Sequence, residues 1–294
     1  MNIRKLLTRL VSLALIAVFL PTVAMADTWY LEDGSITVSA TDSGQNVSQG
    51  GVTKEDSAPV IRNRDSSAST TNNVTIRADA GATANVTLED TNIDTTGGAG
   101  PNGAGDAAVR TEGGGNVNLN VELDNTLQSG NTRAGVEKGN GGNLTIGSES
   151  GSGQLVATGG DGGAGIGGGE NTGAENITIT GGDIFAIGNG GGAGIGGGWD
   201  CSASDITITG GNVTAVGKQD DPGRIGGAGI GGGGSQTSNA GSGTNIKITG
   251  GRVTAVGGNY SAGIGGGYGS NGENITISDA EVIAIGGTCS AGIG

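Results

Sequence analysis

Histidine is missing from all 294 residues, and with it go the commonest general base, the commonest metal ligand and any Ser-His-Asp or Cys-His machinery. Aromatic residues are nearly missing too: two Trp, three Tyr and two Phe make up 2% of the chain. An ordinary globular enzyme fills its core with bulky side chains, and this composition does not supply them. Basic residues are outnumbered, 14 Lys and Arg against 28 Asp and Glu. The resulting net charge of −14 argues against nucleic acid or an anionic membrane surface as partner. Proline is limited to four residues, and no Pro-rich or charged linker divides the chain. The two cysteines, Cys201 and Cys289, fall at unmatched positions of the repeat described below, so the register predicts two free or externally paired thiols rather than a disulfide between them.

What is abundant is glycine, with 67 residues, and a small set of aliphatics spaced among Gly, Asn, Thr and Ser. The first 26 residues stand apart. MNIRKLLTR carries Arg4, Lys5 and Arg9, LVSLALIAVFL is apolar but short of the ~20 residues a membrane span needs, and PTVAMA ends in an A-x-A site at Ala24 and Ala26. These features predict a secretory signal cleaved after Ala26. The mature chain would then start at Asp27 with a charge of −17, be exported or held at a bacterial cell surface, and keep no membrane segment.

The stretch GGAGIGGG, residues 191–198, fits a nucleotide-binding fingerprint at Gly192, Gly194 and Gly197. It recurs, however, and each copy is followed by another strand pattern instead of a helix. The chain aligned on itself reads ITITGGDIFAIGNGGGAGIGGG from Ile177 and ITITGGNVTAVG, an insertion, and GGAGIGGG from Ile206. From Ile246 it reads IKITGGRVTAVGGNYSAGIGGG, and from Ile275 ITISDAEVIAIGGTCSAGIG. Unit starts are 29, 40 and 29 positions apart, the long interval holding the insertion KQDDPGRI. Each unit has three apolar segments, I-x-I, [IV]-x-A-[IV] and A-G-I, joined by Gly-rich corners.

No unit can bury its apolar face alone, but stacking in register builds columns. The expected columns are Ile177, Ile206, Ile246, Ile275; Ile179, Ile208, Ile248, Ile277; Ala186, Ala215, Ala255, Ala284; and Ile195, Ile230, Ile264, Ile293. The fold class expected is all-β, a right-handed parallel β-helix solenoid with three short strands per coil. Residues 27–146 read as its irregular N-terminal coils, and residues 147–294 as regular Gly-rich repeats that stop inside a unit, as a piece of a longer surface protein would. An Asn or Asp precedes each I-x-I segment, at Asn143, Asn176, Asp205, Asn245 and Asn274, and predicts a side-chain ladder from coil to coil.

The strands NVNLNVELDNTLQSG, the run AGVEKGNGGNLTIGS and the repeated ITITGG, VTAVGG and AGIGGG resemble the Gly-rich right-handed β-helix modules of secreted and wall-associated Gram-positive proteins, including a clostridial carbohydrate-binding family. The resemblance covers about residues 34–294. It implies a polysaccharide-binding or adhesive protein, with Ca²⁺ as a possible ligand, and it carries no catalytic motif over to this chain.

Chemistry is sought where the repeat breaks. After AGIGGG, successive units place Glu170, Trp199, Gly234 and Tyr268. Trp199 and Tyr268 thus share a corner two coils apart, about 10 Å at the usual strand spacing and close to a disaccharide repeat, with Tyr260 nearby. Aromatic faces suit sugar C–H faces, so Trp199, Tyr260 and Tyr268 are the expected carbohydrate platform for a polysaccharide or cell-wall glycan. Asp220 and Asp221, paired on the insertion, are the expected Ca²⁺ ligands if a metal binds at all. With Arg224 they are also the candidates for a pectin-degrading lyase or hydrolase, the main alternative to a non-catalytic module. A further alternative is an ice-binding or purely structural repeat, its outward ranks being Thr178, Thr207, Lys247, Thr276 and Thr180, Thr209, Thr249, Ser278.

Overall fold

A computed structural model describes residues 26–97, 105–218, 225–237 and 240–294. Among them the fold is all-β: three sheets surround one thin aliphatic core, and no α-helix is present. Consecutive strands of the chain go to different sheets, and each sheet is built almost entirely of parallel neighbours one coil apart, which defines a parallel β-helix. The I-x-I segments form the first sheet, the [IV]-x-A-[IV] segments the second, and the A-G-I segments the third.

The columns align as the repeat dictates. Leu144, Ile177, Ile206 and Ile246 pair successively in the first sheet, and so do Ile146, Ile179, Ile208 and Ile248 two residues on. In the second sheet Ala157, Ala186, Ala215, Ala255 and Ala284 pair, and in the third Val136, Ile166, Ile195, Ile230 and Ile264, with Ile293 bridging to Ile264. Alternation sends these side chains inward, and nearly all of them are fully buried. Burial of an Ile is worth ~1.5–3 kcal/mol, so the stack is held by many modest equal contributions.

The same three sheets continue through the described residues of the 27–146 region. One departure from the expected coils occurs there. Ile36–Thr41 pairs antiparallel with Gly44–Gln49, which pairs antiparallel with Val52–Glu55, so a three-strand meander extends one edge of the third sheet. Asp42-Ser43 forms the two-residue turn between Thr41 and Gly44, and so short a connection permits only antiparallel pairing.

The corner Asn and Asp residues have a different main role from the expected ladder. Asn176, Asp205, Asn245 and Asn274 all take φ near +55°, the left-handed region that Asn and Asp tolerate better than other non-glycine residues. A side-chain ladder is formed only by the later members: Asn245 Nδ2 donates to Asp205 Oδ1 (3.0 Å) and Asn274 Nδ2 to Asn245 Oδ1 (3.1 Å). Asn143 instead uses its backbone N–H, which donates to Asn116 Oδ1 (2.9 Å). Both cysteines are free thiols.

Candidate functional site

The A-G-I strand is so short that the residues flanking it face each other across one corner of the coil. Gly162 and Glu170 form such a pair: a Cβ built on Gly162 would lie 2.9 Å from the Glu170 side chain. One coil on, a Cβ on Gly191 would overlap the Trp199 ring, so the indole lies against that glycine. The next coil places Gly226 and Gly234 at these positions, and the one after places Tyr260 and Tyr268. The two tyrosines meet edge to face, with ring centroids 5.7 Å apart and planes at 69°, and they are 44% and 40% exposed. Sequence spacing put Tyr260 near this corner; the structure makes it the direct partner of Tyr268.

The backbone singles Tyr260 out further. Its φ of +63° falls where Gly162 and Gly191 have +80° and +101°. A non-glycine residue in this region carries strain of about 1–3 kcal/mol, and such outliers gather at binding sites. Trp199 is half-buried. Its backbone N–H donates to Gly162 O (2.8 Å) and its carbonyl accepts from Asn171 N–H (3.1 Å), so its backbone is fixed at two points to the preceding coil. The aromatic side chains therefore stand at two stations on one ridge, separated by a coil that has glycine at both flanking positions.

Asp220, Asp221 and Arg224 lie outside the described residues, in the insertion between the strand Asn212–Gly217 and Ile225 of the intervening coil. Among the described residues no group of three or more His, Cys, Asp or Glu side chains is arranged to hold a metal ion. Arg252, the other arginine in the repeats, is paired with Glu281 at 2.9 Å, one coil further along the second sheet. Of the outward threonine ranks, Thr178, Thr207, Lys247 and Thr276 do line up as expected. In the second rank, Thr180 and Thr209 turn their hydroxyls back to the carbonyls of Ile146 and Ile179.

Two charged residues were not singled out by the sequence. Where later coils have Ile166-Gly167-Gly168, the earlier coil has Val136-Glu137-Lys138, and Glu137 pairs in register with Arg110 on one side and Gly167 on the other. Glu137 is buried; its Oε1 accepts from Arg133 Nη1 (3.0 Å), while Oε2 has no hydrogen-bond partner. Burial pushes this carboxyl above the usual carboxylate range, opposed by the positive charge of Arg133. Lys138 is 4% exposed, and its Nζ donates to Asn140 O. The signal was present: AGVEKG breaks the AGIGGG pattern with two adjacent charges.

Residues 177–199, 206–234, 246–268 and 275–294 match a family of β-helix repeats. All four segments begin at the unit starts read from the repeat, Ile177, Ile206, Ile246 and Ile275, and the first three end at Trp199, Gly234 and Tyr268, the corner positions of the ridge. No curated protein and no solved structure matches the chain.

Proposed function

We propose that the protein is an exported, non-catalytic β-helix module that binds polysaccharide at a bacterial cell surface or in its surroundings. The observation that carries this reading is the Tyr260–Tyr268 pair, exposed, mutually packed and built on a strained backbone. Two coils away on the same ridge stands Trp199, a spacing of about 10 Å that lets successive disaccharides of a linear glycan meet equivalent rings. Export rests on the N-terminal segment, residues 1–25 of which lie outside the described residues. The rigid stack suits adhesion, because the ridge is preorganised and little ordering entropy is lost on binding.

The experiment is a glycan array followed by calorimetry on the wild type and on Tyr260→Gly with Tyr268→Gly. This double variant reproduces the Gly226 and Gly234 corner of the preceding coil, and glycine at position 260 relieves the strained φ, so the fold is retained. Loss of two aromatic anchors, each worth at least ~1 kcal/mol, weakens binding by about 30-fold or more. Unchanged affinity for every glycan bound by the wild type sinks the ridge. Release of unsaturated or reducing ends from the bound polymer would instead establish catalysis.

A further inference from the structure

The first strand of the first sheet, Thr28–Tyr30, starts immediately after Asp27, the residue at which the sequence predicts the mature chain to begin, and it is docked on a buried carboxylate. That carboxylate is Asp56, which is 2% exposed. Its Oδ2 accepts from the Asp27 backbone N–H (3.2 Å) and from Trp29 Nε1 (2.9 Å), and its Oδ1 accepts from Ala58 N–H (3.2 Å). The Asp56 backbone is fixed as well: its N–H donates to Gln45 O (3.0 Å), and its carbonyl accepts from Gln45 Nε2 (2.9 Å). Asp27 is held on its other side, since Val60 N–H donates to Asp27 O (2.9 Å) and Lys54 Nζ pairs with the Asp27 carboxylate. The nitrogen of Asp27 is thus fixed against Asp56 Oδ2.

What this arrangement lacks is a counter-charge. All three donors to the Asp56 carboxylate are neutral, and among the described residues no Lys or Arg forms an ion pair with it. Lys54 is bonded to Asp27 instead, and its side chain is exposed. A buried charge without a partner is costly, and neutral donors compensate only in part. Hydrolysis of the Ala26–Asp27 bond by a leader peptidase supplies the missing charge at the right atom. Water adds its hydroxyl to the Ala26 carbonyl carbon as the C–N bond breaks, its remaining proton goes to Asp27 N, and the new carboxyl passes its own proton to that nitrogen at neutral pH. Ala26 leaves as a carboxylate on the severed leader, and Asp27 N becomes an ammonium beside Asp56 Oδ2.

We propose that Asp56 is the receptor for the α-ammonium created when the leader is removed after Ala26, so that the first strand locks onto the stack only in the processed chain. The cleavage step rests on the export reading above; no glycan chemistry enters. In the unprocessed chain the same nitrogen is an amide and a neutral donor, whereas a charge-assisted hydrogen bond is roughly twice as strong. Thr28–Tyr30 is the terminal strand of its sheet and pairs only with Val60–Arg62, while Trp29 and Leu31 pack with the aliphatic core. Closure of this end of the stack is thereby timed to export: a chain that keeps its leader has a looser first coil, and removal of the leader tightens it.

Hydrogen exchange at the Val60 amide reads the lock directly, because that N–H is bonded to Asp27 O and lies far in sequence from the altered terminus. A chain beginning at Asp27, released from a carrier without added residues, exchanges there at least about tenfold more slowly than one beginning at Val23, in which Asp27 N is an amide. Asp56→Asn in both chains brings the two rates to within about twofold, since asparagine offers the ammonium no charge. Equal rates in the two wild-type chains, or a difference that survives in Asp56→Asn, overturn the receptor. If Asp56→Asn does not fold, the α-amine itself decides. In the chain beginning at Asp27 it reacts with an acylating reagent at neutral pH at least about tenfold more slowly when folded than in urea, because the paired ammonium is held from its nucleophilic neutral form; equal rates overturn the receptor. Export is tested apart, by the intact mass of the exported protein, which begins at Asp27. A different first residue overturns the cleavage step, whereas an exported chain that begins at Asp27 but shows no difference in exchange overturns the receptor and leaves export standing.

Discussion

Gly194→Ala adds one methyl group at the centre of GGAGIGGG, and the structure fixes what that methyl meets. The new Cβ would fall inside contact distance of Val216 N, 2.6 Å from Gly229 O and 2.8 Å from Ala215 C, all backbone atoms of the next coil. Ordinary contacts at such atoms are about 3.4 Å or longer, so neighbouring coils must separate by the better part of an ångström. Two inter-coil hydrogen bonds are at stake, Gly194 N–H to Ala228 O and Ile195 N–H to Gly229 O, each 3.0 Å. With overpacking at ~3 kcal/mol, since backbone rather than side chain must yield, and ~1 kcal/mol for each strained bond, the loss is about 3–5 kcal/mol. Urea unfolding followed by far-UV circular dichroism measures it, with Gly97→Ala as control. Gly97 has nothing within 4 Å of its Cβ position, and its replacement is neutral or slightly stabilising through the unfolded chain. A Gly194→Ala midpoint equal to that of the control would refute the coil-contact account. A cofactor loop would behave in the opposite way, losing ligand with little loss of stability.

Other outcomes follow from the same geometry. Glu137→Gln keeps an acceptor for Arg133 and removes the buried charge. Because the folded carboxyl titrates above its unfolded value of 4.5, the native contribution of Glu137 is complete below that pH and is lost as pH rises through the folded value. The variant therefore matches the wild type at pH 4 and exceeds it by about 1 kcal/mol at pH 8 in parallel denaturant titrations, the order expected for relieving an unsatisfied buried oxygen; equal midpoints at both pH values would contradict this. Asn176→Ala costs about 1 kcal/mol in thermal unfolding because alanine resists the left-handed region, whereas Asn176→Gly is near neutral. Ile208→Ala, in the centre of a fully buried column, costs about 2–5 kcal/mol, while Thr207→Ala on the outward face of the same strand changes stability by no more than ~0.5 kcal/mol.

The columns were legible in the sequence because the apolar segments themselves recur: each I-x-I aligns on the one before it, and the alignment holds across intervals of 29, 40 and 29 residues, the difference in length falling between strands. Contacts across a corner were not legible in this way. Tyr260 and Tyr268 are eight residues apart within one coil, and their meeting depends on how tightly the chain turns around Ile264, which no repeat period encodes. The antiparallel meander from Ile36 to Glu55 escaped for a related reason: its strands alternate like the others, and only the two-residue turns Asp42-Ser43 and Gly50-Gly51 distinguish hairpins from coil corners. The positive φ of the corner Asn residues was hidden because a ladder and a left-handed turn ask for the same residue type.

The aromatic ridge and the Glu137–Lys138 pair arise from the same physical constraint. Inside the stack a glycine is needed wherever two backbones touch, as at Gly165, Gly194 and Gly229, and there no side chain can be gained. At the N-terminal flank of the A-G-I strand, as at Gly162 and Gly191, the constraint on glycine is a positive φ, and a side chain with room to leave the coil can be accommodated there for a modest strain. Tyr260 takes that option, and so does Cys289. Glu137 and Lys138 are the counterpart one strand position later, occupying the register of Gly167 and Gly168 in a coil whose neighbour at Glu137 is still glycine. Glycine also gives the added side chains their space: the Trp199 ring lies where a Cβ on Gly191 of its own coil would stand, and Glu137 Oε2 lies 3.1 Å from the Cβ position of Gly169 in the adjoining coil. In a fold made of nearly identical coils, recognition groups are therefore expected where a coil departs from glycine at a position that another glycine faces.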